Sequence, residues 1–135
     1  MRSHAIGGIL HRVTIRCLIV DDNQSFLDAA SVLLERDRLS VAGVALTSAQ
    51  ALLQIEELQP QVVLVDISLG DESGFDHARR IAEDGFAPGP VVILISTLAE
   101  QDVADLIAES PAAAFLPKEE LSASAILRIV EDELE

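Results

Sequence analysis

Asp66 closes the apolar run Val62-Val63-Leu64-Val65, Asp21 and Asp22 close the run from Val13 to Val20, and Ser96 and Thr97 close Val91 to Ile95. Lys118 follows a fifth run, Ala112 to Leu116, after Pro117. Aliphatic runs of this kind, bounded by turn residues, read as strands buried on both faces of a parallel sheet. Parallel strands all point the same way, so these side chains meet at one carboxyl edge, where open α/β sheets bind ligands. Three carboxylates brought together repel one another unless a cation joins them. A few carboxylate oxygens with open positions suit Mg²⁺, which keeps several of its waters. One lysine and one hydroxyl beside them supply a positive charge and a hydrogen-bond donor for a phosphoryl group. A carboxylate can itself be the nucleophile in phosphoryl transfer, which makes Asp66 the candidate for the chemistry.

Helix patterns alternate with these strands. Phe26, Ala29, Ala30, Leu33 and Leu34 form an i, i+3, i+4 stripe capped by Asn23 or Ser25, predicting a helix to about Arg38. Ser40 to Leu46 predicts a second strand. Thr47 or Ser48 then caps a helix carrying Leu52, Leu53, Ile55 and Leu58 that stops before Pro60. Gly74 to Asp84 predicts a helix with Phe75, Ala78, Ile81 and Ala82 inward, ended at Gly85. The Pro88-Gly89-Pro90 turn leads into the fourth strand. A thin stripe of Val103, Leu106 and Ile107 predicts a marginal fourth helix over 99–109, and a last helix from Leu121 or Ser122 to Leu134 buries Ile126, Ile129 and Val130. Five strand-helix pairs predict one doubly wound α/β sheet with helices on both faces, over residues 13–135, after a tail of residues 1–12 that holds His4 and His11.

The 135 residues carry 9 Lys plus Arg against 23 Asp plus Glu, a net charge of -14, which opposes direct binding of nucleic acid. Much of that excess, Glu72 and Glu131 included, reads as solvated surface. No apolar run approaches the roughly 20 residues of a membrane span. Cys17 lies within a strand run and reads as a small buried hydrophobe. His77, between Asp76 and Ala78, reads as solvated on its helix.

The acidic pair after the first strand, Asp66 after the third, Ser96 after the fourth and Lys118 after the fifth are separated by 44, 30 and 22 residues counting from Asp22. In this the chain resembles the receiver domains of two-component response regulators from Thr14 to its C-terminus. The resemblance implies a flavodoxin-like fold with strand order 2-1-3-4-5. It implies that Asp66 is the phosphoacceptor, served by a sensor histidine kinase or phosphotransfer protein. Mg²⁺ would be held by Asp21, Asp22, Asp66 and the backbone carbonyl of Ser68. Lys118 and Ser96 would bind the phosphoryl group, and Phe115 matches the aromatic switch position. A downstream protein effector would read the face made by the fourth helix, fifth strand and fifth helix, through which a homodimer is also expected. A bacterial cytoplasm is implied by the same resemblance, and a signalling domain rather than a turnover enzyme.

Two positions depart from the family pattern. Gly70 stands where receivers usually have proline, which loosens the loop after Asp66. Thr97 stands where a very small residue is usual and would crowd the acceptor. A pseudo-receiver that signals by contact alone is one alternative. A haloacid-dehalogenase-type phosphatase is another, weakened because its second aspartate position is Ser68 here.

Overall fold

The computed structural model describes residues 14–36, 38–86 and 89–134. The expected tail of residues 1–12, Val13 and Pro88 lie outside the described residues. Five parallel strands form one sheet: β1 (Ile15–Val20), β2 (Leu39–Ala45), β3 (Val62–Asp66), β4 (Val91–Ser96) and β5 (Ala114–Pro117). Their order is β2-β1-β3-β4-β5, as expected, which puts the Asp66 strand in the middle. Five helices connect and follow them: α1 (Gln24–Leu34), α2 (Ser48–Leu58), α3 (Gly74–Glu83), α4 (Ala104–Ala108) and α5 (Ala123–Leu134).

Alternation along each strand divides the core in two. Cys17, Ile19, Leu64 and Ile93 point to the face covered by α1 and α5. Leu18, Val20, Val63, Val65 and Leu94 point to the face covered by α2 and α3, where Val103 and Phe115 also pack. Every residue of β3 is buried, which is why that run shows no polar alternation. Full burial of each such aliphatic side chain stabilises the fold by about 1.5–3 kcal/mol. Truncating Leu64, fully buried at the sheet centre, would cost about 2–5 kcal/mol through lost contacts and a cavity.

Helix ends follow local chemistry. Asn23 Oδ1 accepts from the Phe26 amide to cap α1, and Thr47 caps α2 by accepting from the Gln50 amide. Ser122 Oγ accepts from the Ala125 amide at the start of α5. α2 ends at Gln59 in the left-handed region, before Pro60, and Gly85 follows the end of α3 with φ 74°.

Several helix expectations need correction. α1 stops at Leu34 rather than near Arg38, because Glu35 leaves the helix and its carboxylate accepts from the Val41 amide of β2. Its buried stripe is Leu27, Ala30 and Leu34, while Ala29 is exposed and Leu33 is 42% exposed. On α2 the core takes Ala51 and Ile55, and Leu53 is exposed. On α3 Ala82 is exposed and His77 is buried. The thin fourth stripe yields a 3-10 turn, Glu100–Val103, and only five residues of α-helix. α5 buries Leu127 as well as Ile126 and Val130.

Candidate functional site

Strand register brings the candidate residues to one level. Val20 pairs with Val65, so Asp21 leaves β1 beside Asp66. Asp66 pairs with Ile95, and Ser96 pairs with Pro117, so Ser96 stands one residue and Lys118 two residues further along the same edge. There they line a cleft of about 680 Å³ together with Asp22, Ser68 and Thr97. Phe115 stands apart, buried in the core beneath with Val103.

Lys118 organises the cleft. Its Nζ lies 2.6 Å from Asp21 Oδ2 and 2.8 Å from Asp66 Oδ2, and 4.1 Å from the centre of the Phe26 ring. The remaining carboxylate oxygens meet backbone donors: Asp21 Oδ1 accepts from the Asn23 amide and Asp66 Oδ1 from the Ser68 amide. Asp21 is fully buried, and that burial pushes its carboxyl up from the usual range, with Asp66 adding to the rise against the pull of Lys118 and Asn23. Burial alone would lower the Lys118 ammonium, but hydrogen bonds to Asp21 and Asp66 outweigh it and hold the group charged more firmly.

Oxygens of Asp21, Asp22 and Asp66 lie within 4.8 Å of one another. Three carboxylates against one ammonium leave the cleft negative, and all the donors are hard oxygens. This set could hold Mg²⁺, whose preference is for a few carboxylates and retained waters. Ser96 is buried and its Oγ accepts from the Leu98 amide at 2.9 Å, while Thr97 is exposed at the cleft.

The segment after Asp66 folds back as a small antiparallel hairpin that the sequence did not announce. Ser68 pairs with Ser73 and Leu69 with Glu72, leaving Gly70-Asp71 as a two-residue turn. Gly70 has φ 61° and Asp71 does not have positive φ, the pattern of a type II′ turn with glycine first. Gly70 thus serves a defined turn beside Asp22: a Cβ there would stand 3.3 Å from Asp22 Oδ2. Gly74 lets α3 start against the acceptor strand, since a Cβ on it would fall 2.1 Å from the Asp66 carbonyl oxygen.

A family model described as the response regulator receiver domain matches residues 17–131. The chain belongs to the response regulator receiver family. It is 32% identical over 114 residues to protein-glutamate methylesterase/protein-glutamine glutaminase 1 of Syntrophus aciditrophicus, covering 81% of this chain and 31% of that protein. A second such protein, from Koribacter versatilis, is 31% identical over 123 residues, with 89% and 33% covered. The receiver spans about a third of the length of these curated relatives. The signal receiver domain of NarL from Mycobacterium tuberculosis superposes with a TM-score of 0.78 at 24% identity, covering 88% of this chain and 98% of that one. The response regulator domain of Thermotoga maritima CheB gives 0.73 at 22% identity, covering 88% and 95%. These two solved structures share the receiver's fold. No described helix is long and apolar enough to cross a membrane.

One expectation about a polar residue is overturned. His77 is not solvated: it is 1% exposed, and neither ring nitrogen has a hydrogen-bond partner among the described residues. Burial first, then the Arg80 charge, drives its imidazolium down to about 4, against the pull of Glu72. The signal was present, since Gly74, His77, Ala78 and Ile81 follow the i, i+3, i+4, i+7 spacing of one helix face. Glu72 is exposed, as the sequence suggests, and is also tied down. Its carboxylate accepts from the Ser48 amide at 3.0 Å and the Ser48 hydroxyl at 2.9 Å. Glu131 forms a 2.7 Å ion pair with Arg38. Phe26 over Lys118 was also missed, and nothing in its local sequence marks it.

Proposed function

We propose that this receiver accepts a phosphoryl group on Asp66 from the phosphohistidine of a sensor histidine kinase or phosphotransfer protein. The observation that carries the reading is Asp66 Oδ2 held 2.8 Å from Lys118 Nζ, in a cleft where Asp21 and Asp22 complete a carboxylate cluster. In the transfer, a carboxylate oxygen of Asp66 forms the new O–P bond as the N–P bond to histidine breaks. The imidazole departs with the bonding electron pair and is protonated from water. Asp66 is positioned for this by its own strand end and by the Ser68 amide, which orients the carboxylate. Lys118 balances charge on the phosphoryl oxygens, as a positioned ammonium does in phosphoryl transfer. Mg²⁺, held by Asp21, Asp22, Asp66 and the Ser68 carbonyl, supplies neutralisation of the transferred group's charge when bound.

The switch follows from Ser96. Its hydroxyl accepts from Leu98, and a phosphoryl group on Asp66 offers a stronger, charged partner. Rotation of Ser96 frees the Leu98 amide and the short 3-10 segment behind it, which changes the face formed by α4, β5 and α5 with Phe115 beneath. A protein effector, or a second copy of the receiver, reads that face. Its likeness to methylesterase/glutaminase proteins favours an enzyme effector of that kind, and membership of the receiver family is the ground for placing it in a bacterial cytoplasm. Intact mass after incubation with acetyl phosphate and Mg²⁺, beside Asp66→Asn, tests the reading. One added phosphoryl group in the wild type and none in the variant is expected; a wild type that gains nothing from acetyl phosphate or from a partner kinase would overturn it.

A further inference from the structure

We propose that Glu72 is a positioning residue for the metal cluster, acting through the hairpin that follows the acceptor; this rests on the Mg²⁺ reading above. The hairpin touches the cluster twice. At one end the Ser68 amide holds Asp66 Oδ1 at 2.9 Å. At its turn, Gly70 lies against Asp22, close enough that an added Cβ would stand 3.3 Å from Oδ2. Whatever fixes the hairpin therefore fixes the space around two of the three carboxylates.

Two cross-strand pairs are too few to fix it, because such a short ribbon is at best marginally stable by itself. Leu69, 3% exposed, anchors the inner strand in the core. Glu72 anchors the outer one. Both of its carboxylate oxygens bond Ser48, one through the amide and one through the hydroxyl, and Ser48 is itself buried at the first turn of α2. Arg80 Nη1 donates to the same hydroxyl at 3.3 Å, tying α3 into the junction. The Ser48 amide and hydroxyl hold the Glu72 carboxyl below the usual range, so the bonded, ionised form persists at neutral pH. An anion is also favoured at a helix N-terminus. Glu72, itself exposed, thus clamps the turn that faces Asp22 to the first turn of α2, and neither it nor Ser48 lines the cleft.

Calorimetric titration of the full chain with Mg²⁺ tests this on wild type, Glu72→Ala and Glu72→Gln, with folding checked by circular dichroism. Supporting residues beside metal ligands commonly change affinity about tenfold or more, so Glu72→Ala is expected to weaken Mg²⁺ binding about tenfold. Glu72→Gln, the same shape with an acceptor and a donor for Ser48, is expected to stay within about twofold of wild type. Hydrogen exchange at Leu69 and Gly70 should quicken in the alanine variant and not in the glutamine one. Equal weakening in both variants would assign the effect to charge alone and overturn the proposal. So would unchanged affinity in Glu72→Ala, which would leave the Mg²⁺ reading standing. A wild type that binds no Mg²⁺ would overturn both.

Discussion

Lys118 Nζ stands 2.8 Å from Asp66 Oδ2, reaching from the end of β5 to the end of β3. The same ammonium neutralises part of Asp21, so one side chain holds together a cluster that would otherwise repel itself. Lys118→Ala is expected to destabilise the fold by roughly 1–3 kcal/mol in the absence of divalent ions, the usual cost of leaving a charged partner unmatched. Urea denaturation with and without Mg²⁺ checks this, and the loss should shrink when Mg²⁺ is present. Equal stability of variant and wild type in chelator would contradict it.

Burial raises the Asp21 carboxyl, so its ionised form at neutral pH works against folding. Asp21→Asn should therefore stabilise the chain without Mg²⁺, by roughly 1 kcal/mol, the ordinary size of a point-mutation effect. The same variant should lose most of the stabilisation by Mg²⁺ seen in the wild type. For the wild type that gain is about 2.7 kcal/mol at one hundred times the dissociation constant. Melting curves over a Mg²⁺ series measure both.

His77 gives the fold an acid sensitivity. Its folded value is depressed to about 4 from an ordinary 6.5. The unfolded chain then binds a proton at a pH where the folded chain does not. Stability is therefore lost as pH falls from about 6.5 and the loss levels off near 4, with a ceiling of about 3 kcal/mol at 1.36 kcal/mol per unit. His77→Leu should flatten that part of the stability curve and raise stability at neutral pH by leaving no unpartnered ring nitrogens in the core. Denaturant titrations at pH 7.5 and 5 distinguish the two proteins; identical slopes would count against a buried neutral imidazole.

Cys17 is fully buried on β1, and burial, with the Glu35 charge adding, pushes its thiol up to about 12. The thiolate is the reactive form, so a disulfide reagent should leave Cys17 unmodified in native protein and modify it on unfolding. Fast labelling under native conditions would mean that the strand opens locally.

Gly70→Ala places a side chain at φ 61° within the hairpin turn and 3.3 Å from Asp22 Oδ2. A cost of about 1 kcal/mol is expected from the backbone alone, together with weaker Mg²⁺ binding from crowding at Asp22. Thermal melts in chelator isolate the first effect, and a Mg²⁺ titration isolates the second.

The five strands and the residues that end them were legible in the sequence. A strand buried on both faces is a plain apolar run, so no choice of face has to be made, and the residue where the run stops is placed at the sheet edge whatever surrounds it. That logic places Asp21, Asp66, Ser96 and Lys118 at the edge from the sequence. Helix faces were less legible, because sequences such as Ser31-Val32-Leu33-Leu34 are apolar on more than one side. The structure buries Leu34 and leaves Val32 75% exposed, since only the sheet beneath decides which side turns inward. His77 differs: its helical phase beside Ala78 and Ile81 marks the core face in the sequence, and only its polarity suggests water.

The sequence by itself determined the sheet, its edge and the set of chemical groups gathered there, because those follow from short-range patterns of hydrophobicity. Only the tertiary structure decided the Glu72 bonds to Ser48, the hairpin that sets Gly70 on Asp22, and Lys118 lying between two carboxylates under a Phe26 contact. Each of these joins residues far apart along the chain or depends on a backbone turn formed in place, and such contacts leave no periodic trace in the order of the residues.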